Sequence, residues 1–358
     1  MTMTTTHTII PAAAIDLGFF STKMATLQSN TSASVRTEQF PSLAPISAPI
    51  QDLPSFNRPD GCTIKVGDVS YFVGNGALQR IDGAGFVRSA NPDYSNSPEY
   101  KALFLGALWH MARSMQVGDT QLKIEHLVVG LPMANMRTHA KSLAELCAGS
   151  HLIPGVTDPA AQFKVNIGKV HVLSQPQGAM LSVLGSTPSA AQENILVADM
   201  GGGTFDWFLA ERMVANLNKS GSHNRGMLNC AIEICKRVAP DSLGNPGMIQ
   251  RIDDALHQGE TSVKVAGQDV DLTQALPYAM QVVESSLRQM SLSVGDMGTV
   301  DRVIVTGGGA NLITKAWSRV FPKSASLLDV CDDPVYANVR GFLLYARSAA
   351  AAATSQNR

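Results

Sequence analysis

Asp199 closes an apolar run, residues 195–198, and is followed by Met200, by Gly201, Gly202 and Gly203, and by Thr204. The chain turns apolar again at Trp207, Phe208 and Leu209. This order reads as a β-hairpin with a glycine turn. A turn without side chains lets the backbone approach an anion and point its N–H groups at phosphate oxygens. A carboxylate at the strand end suits a hydrated Mg²⁺ held against those phosphates, because the cation prefers oxygen ligands and keeps part of its water. Three glycines alone would mark only a tight turn. A second copy near the start adds weight. Asp16, Gly18 and Ser21 stand at the same offsets as Asp199, Gly201 and Thr204, about half of the 358-residue chain earlier. A repeat of that period suggests two related domains whose hairpins face each other across a cleft. Lys23 would bring a point charge to a phosphate there, although a strand lysine is commonly just solvated.

The rest of the chain supplies elements to hold these turns. Residues 9–29 read as strand, turn and strand. Residues 41–60 carry Pro41, Pro45, Pro49, Pro54 and Pro59 and are expected to form an exposed loop. Residues 63–73 alternate around Gly67 and Asp68 as a hairpin. Ser97 and Pro98 start a helix as N-cap and first residue. Its core stripe is Tyr100, Leu103, Phe104, Ala107, Leu108, Met111 and Met115, with His110 in a structural place beside it. A short buried strand, 127–131, stops at Pro132, and a helix follows over 136–147. Another strand ends at Gln175, and a helix begins at Pro176 and runs to about residue 185. A polar turn over 220–226 precedes a helix over 227–238. Met248, Ile249, Ile252, Ala255 and Leu256 mark a further helix, and 263–272 a hairpin. Thr273 is expected to cap a helix running towards Val294, with Pro277 tolerated in its first turn. A strand over 302–306 leads into Gly307, Gly308, Gly309, Ala310 and Asn311 and a helix from Leu312. Glycines at such a turn allow close contact with a flat ligand. The alanines of 349–353 read as a fraying helix end.

Composition narrows the class. Hydrophobic residues make up 45% and charged residues 16%, which gives real cores and excludes a disordered chain. The formal net charge of −1 leaves no bulk basic field to neutralise nucleic-acid phosphates, so strong direct DNA or RNA binding is not expected. The five cysteines are scattered without a Cys-x-x-Cys, which supports neither a disulfide framework nor a zinc site. The first eight residues lack the basic start of a signal peptide, and no apolar run reaches membrane-spanning length. A cytoplasmic protein with reduced thiols and no membrane contact is expected. No Gly-x-x-x-x-Gly-Lys-[Ser/Thr] or Gly-x-Gly-x-x-Gly occurs, which disfavours P-loop and Rossmann readings.

The sequence Asp-Met-Gly-Gly-Gly-Thr-Phe-Asp at 199–206 resembles the second phosphate loop of the actin, sugar-kinase and heat-shock-chaperone ATPase superfamily. Asp16-Leu-Gly18 with Lys23 is similar to the first. Gln175-Pro176 resembles the strand-to-helix junction whose polar residue positions the water that attacks the γ-phosphate; Gln177 is the other candidate. The 307–309 glycines resemble the adenosine motif, and the turn ending at Gly226 the place where ribose and base are met. Val129-Gly-Leu-Pro132, the Phe40-Pro41-Ser42 loop start and Ala337-Asn338-x-x-Gly341, which opens the closing helix, narrow the resemblance to ParM-like plasmid-segregation actins.

That resemblance implies an α/β actin-like fold: two related domains, each with a mixed sheet flanked by helices, around a nucleotide cleft. Domain I would comprise residues 1–185 with 335–358, and domain II residues 190–333, joined by two crossing helices. The implied ligand is ATP, with GTP left open, and Mg²⁺ held through water by Asp16 and Asp199. Implied nucleotide contacts are Asp16, Gly18, Ser21 or Thr22, Lys23, the 201–203 glycines, Thr204, Gly226, the 307–309 glycines and Asn311. Asp16, Asp199 and Gln175 would carry hydrolysis. The implied activity is an ATPase coupled to filament assembly, which would engage a plasmid centromere through an adaptor DNA-binding protein. A nucleotide-binding regulatory module that forms no filament is the alternative. A chaperone ATPase would need a substrate domain after the second crossing, and a sugar or acetate kinase an acceptor-site pattern that is not found.

Overall fold

The computed structural model describes residues 7–27, 34–47, 59–81, 94–117, 121–185 and 191–356. Pro49, Pro54 and the first six residues lie outside these. In chain order, β1 (His7–Leu17), β2 (Ser21–Leu27) and β3 (Val35–Pro41) form an antiparallel meander. A small hairpin follows, β4 (Cys62–Val66) and β5 (Val69–Val73), turning at Gly67 as expected. Helix α1 (Pro98–Ser114) starts where Ser97 accepts the Tyr100 amide at 3.1 Å. Then come β6 (Gln121–Leu131), α2 (Met136–Cys147), β7 (Gly149–Pro154), β8 (Gln162–Ser174) and α3 (Gln175–Leu184). These strands make one mixed six-stranded sheet in the order β3-β2-β1-β6-β8-β7, with β6 parallel to both β1 and β8.

The second half repeats the plan. Strands β9 (Asn194–Met200) and β10 (Phe205–Glu211) pair antiparallel, with Asp199 opposite Asp206. Short strands β11 (Val214–Ala215) and β12 (Gly221–His223) flank β10. Helices α4 (Met227–Val238) and α5 (Pro246–Gln258), the hairpin β13 (Ser262–Val265) with β14 (Gln268–Asp271), and α6 (Leu276–Val294) follow. Strand β15 (Arg302–Thr306), α7 (Ala310–Val320), β16 (Leu328–Val330) and α8 (Ala337–Gln356) end the chain. Strand β15 lies parallel to β9, as β6 does to β1.

The crossing helices exchange places. Helix α3 leaves the first sheet but packs Ala179, Met180 and Leu184 on Ile195, Val197, Phe208 and Ile304 of the second. Helix α8 leaves the second sheet but packs Val339, Phe342, Leu343 and Ala346 on Ala12, Ala14, Ala25 and Val128 of the first. Where they meet, a Cβ on Gly341 would stand 1.8 Å from the Gly178 carbonyl oxygen, so this approach tolerates only glycine.

Several expectations are corrected. The 41–60 segment is not exposed throughout: Leu43 and Ala44 are buried and packed with Phe72 or the first core, because hydrophobic burial overrides what proline implies. Strand β6 is not short; it begins at Gln121. Thr273 does not cap α6. Its hydroxyl donates to Asp271 at 2.6 Å, and Pro277 falls beside the true start at Leu276. Helices α3 and α7 begin at Gln175 and Ala310, earlier than expected, and part of the 220–226 turn is strand β12.

Candidate functional site

Both hairpin turns open onto one cavity of about 600 Å³ between the two sheets. Its wall includes Asp16, Gly18, Ser21, Lys23, Gln175, Asp199, the 201–203 glycines, Thr204, Gly307 and Gly308. The two halves of the sequence repeat are thus brought together across a cleft.

Each aspartate is buried and held by an amide from a crossing helix. Asp16 is 1% exposed; its Oδ1 accepts from Gln175 Nε2 at 2.7 Å, and Lys23 Nζ lies 3.8 Å from its other oxygen. Asp199 is 3% exposed; its Oδ2 accepts from Asn338 Nδ2 at 2.7 Å. Burial raises the Asp199 carboxyl to about 7, opposed by the Asn338 hydrogen bond and aided by the nearby charges of Asp206 and Asp16. Burial also raises Asp206, against hydrogen bonds from Ser222, Thr204 and the Met133 amide. The Met133 amide donates to Asp206 at 2.8 Å and ties the segment after β6 to β10.

The second turn is aimed by its neighbours. The amides of Met227 and Leu228, at the start of α4, donate to the Gly201 and Gly202 carbonyls, each at 2.9 Å. In a trans peptide the N–H points opposite to the C=O, so the Gly202 and Gly203 amides are directed away from α4. Gly307 must be glycine: its φ is +84°, and a Cβ would lie 2.5 Å from Asp199 Oδ1.

Four expected nucleotide contacts lie elsewhere. Thr22 is fully buried on the opposite face of β2 from Ser21 and Lys23, with its hydroxyl 2.9 Å from that of Ser42. Gly226 lies behind the second turn, where a Cβ would meet the Gly201 and Gly202 oxygens at 2.5 and 2.6 Å. Gly309 packs on Met200, and exposed Asn311 reaches the His257 carbonyl at 3.4 Å. Gln177 is engaged at the helix start, accepting from the Ser174 amide at 3.0 Å and hydroxyl at 2.9 Å, whereas Gln175 faces the cleft.

Sequence reasoning missed Asn338, Asp206 and the contact between the turns. Asn338 was discoverable: Asn338-x-x-Gly341 repeats the spacing of Gln175-x-x-Gly178. At the rim, Phe20 presses on Gly202, where an added Cβ would meet Phe20 Cβ at 2.3 Å. Phe19 likewise covers Gly203 and contacts Tyr94 edge-on, with ring centroids 6.0 Å apart.

The donor set fits hydrated Mg²⁺. Two buried carboxylates line the cavity, each with one oxygen held by an amide, and the described residues contain no cluster of three metal-ligating side chains that would strip the ion of water.

Comparison with known proteins agrees with this geometry. Residues 14–178 match the family described as "Actin like proteins N terminal domain", and residues 197–318 match "Archaeal actin homologue MreB-like, C-terminal". This is an actin-like protein. Among solved structures, the actin-like protein Alp7A matches with a TM-score of 0.74 at 14% identity, over 98% of this chain and 99% of that one. A 15-stranded ParM filament from Clostridium botulinum matches at 0.72 and 20%, over 94% and 98%. The archaeal actin homologue Ta0583 in complex with ADP matches at 0.66 and 19%, over 95% and 99%. Identities this low show a shared actin-like fold. A sequence comparison with curated proteins finds no match. No helix among the described residues of the actin-like chain is long and apolar enough to cross a membrane.

Proposed function

We propose that this actin-like chain is a cytoplasmic Mg-dependent ATPase that assembles into filaments and segregates plasmid DNA through an adaptor protein. The observation that carries the reading is the pair of matched hairpins closing on one cavity, each with a buried aspartate held by an amide from a crossing helix. The ADP complex of Ta0583 and the C. botulinum ParM filament are relatives with this fold. Net charge of −1 favours an adaptor over direct DNA contact. The division into residues 1–185 with 335–358 and residues 190–333 belongs to the same proposal; the exchange of α3 and α8 supports it.

In this mechanism the Gly202 and Gly203 amides and Lys23 hold phosphate oxygens from opposite sides. Asp16 and Asp199 would hold Mg²⁺ through water, and the ion would supply charge neutralisation at the phosphates. Gln175 lies in the cleft beside Asp16 and orients the attacking water; phosphoryl transfer needs a placed nucleophile more than a strong base. Ligand contact with both turns favours the closed cleft and hence assembly, and hydrolysis weakens it. Filaments would grow by head-to-tail contacts that do not close into a ring.

The test is high-speed pelleting with phosphate release, with and without ATP, for wild type and Asp199→Ala. Wild type should pellet only with nucleotide, and the variant should lose hydrolysis by about 10² or more. Protein that binds ATP yet never pellets across salt and concentration would instead be a regulatory module.

A further inference from the structure

Asn338 has no part in the proposed chemistry, yet its setting is unusual. It lies in the first turn of α8, 7% exposed, and its Nδ2 donates to Asp199. A carboxylate oxygen only accepts, so this bond directs the other end of the amide, Oδ1, away from Asp199. That Oδ1 is buried and meets no partner among the described residues. A buried amide oxygen left bare is costly unless water or ligand supplies a hydrogen bond. Asn338 lines the cleft, and the unmet cost of that oxygen points to an amide kept for the bond its other end makes to Asp199.

The backbone of Asn338 is also placed by the helix crossing. Its carbonyl oxygen would stand 2.5 Å from a Cβ on Gly178, so α3 and α8 are in close contact beside it. Helix α8 packs on the first sheet, whereas Asp199 belongs to the second. The bond from Asn338 to Asp199 therefore spans the two halves, whereas the Gln175 bond to Asp16 ties the start of α3 back to the sheet it leaves.

We infer that Asn338 is a positioning residue for the cation: it fixes the Asp199 carboxylate towards metal-bound water, and its seat on the crossing helix makes cation affinity depend on cleft closure. This rests on the Mg-nucleotide reading above. Loss of a hydrogen bond that orients a ligating carboxylate typically weakens metal binding 10- to 100-fold.

The experiment measures affinity for a fluorescent ATP analogue in excess chelator and then across a Mg²⁺ titration, so hydrolysis is not the readout. Asn338→Leu removes the amide; Asn338→Ser leaves a hydroxyl and room for water. Both should bind the analogue in chelator as wild type does, which also shows that the cleft is intact. Both should need about tenfold more Mg²⁺ or beyond to reach tight binding, Asn338→Leu the most. In an Asp199→Ala background, Asn338→Leu should add no further shift, since it acts through that carboxylate.

Mg²⁺ midpoints within twofold of wild type in both variants would overturn the assignment. So would a full shift that persists without Asp199. Loss of analogue binding in chelator by both variants would make Asn338 a residue of the fold and also refute it. Wild type that binds the analogue with no Mg²⁺ effect ends this inference alone, whereas wild type that binds no nucleotide ends the proposed function with it.

Discussion

Gly341→Ala tests whether the helix crossing controls the cleft. The new methyl would lie 1.8 Å from the Gly178 carbonyl oxygen, against 3.4 Å for an ordinary contact. The obstacle is backbone, so no rotamer change relieves it. The helices would have to part by about 1.6 Å, and overpacking of this kind costs up to about 3 kcal/mol. The same movement draws α3, seated on the second sheet, from α8, seated on the first. The Asn338–Asp199 bond, 2.7 Å, would then pass hydrogen-bonding range. Misplacement on the order of 1 Å costs about 10² in rate. Urea unfolding and phosphate release on one preparation read both effects. Gly244→Ala is the control, because a Cβ there meets nothing within 4 Å; its stability should match wild type. Gly341→Ala with a wild-type midpoint and wild-type turnover would show that the crossing does not constrain the site.

Gln175→Ala should still bind ATP and pellet but release phosphate slowly, giving longer-lived polymer. Gln177→Ala should lose only its capping interaction, about 1 kcal/mol in unfolding; the reverse pattern in turnover would move the water-orienting role to Gln177. Cation-dependent nucleotide affinity should rise with pH up to about 7 and then level, because Mg²⁺ requires the ionised Asp199 carboxyl, which burial has raised to about 7; isothermal titration in two buffers should record proton release on binding near pH 6. For the ligand-free fold the sign is opposite: this carboxyl's contribution is complete below its ordinary 3.8 and is lost as pH climbs through about 7. His110, stacked on Phe40 with centroids 4.6 Å apart, is lowered by burial from 6.5 to about 4. Its contribution is present above 6.5 and lost as pH falls through about 4, an effect of about 3 kcal/mol, so His110→Phe should flatten the acid limb of the stability curve measured by urea unfolding.

The hairpins and the two-part plan were legible because apolar runs ending in Asp and glycine turns are local patterns, and the pattern occurs twice. Which of Gln175 and Gln177 faces the cleft was not, since both lie in the first turn of α3 and only the hydrogen bonds to Ser174 separate them. Thr22 was within reach: strand alternation already puts it opposite Ser21 and Lys23. Gly226 and Gly309 are required by close packing around the site, and composition does not distinguish a glycine that admits a ligand from one that admits a neighbouring backbone. Leu43 was misjudged because the partner that buries it, Phe72, is distant in sequence.

The two turns stand at equivalent positions of the sequence repeat, but they are not interchangeable. One carries Phe19 and Phe20; the other offers Gly202 and Gly203 as the hollow that receives them. Two glycine turns would leave a gap at the rim, and two phenylalanine turns would not shut. The divergence therefore gives the molecule a polarity: each half fits only its unlike twin. It also means that a ligand reaching Gly202 or Gly203 from that side would have to displace a contact the protein already makes to itself.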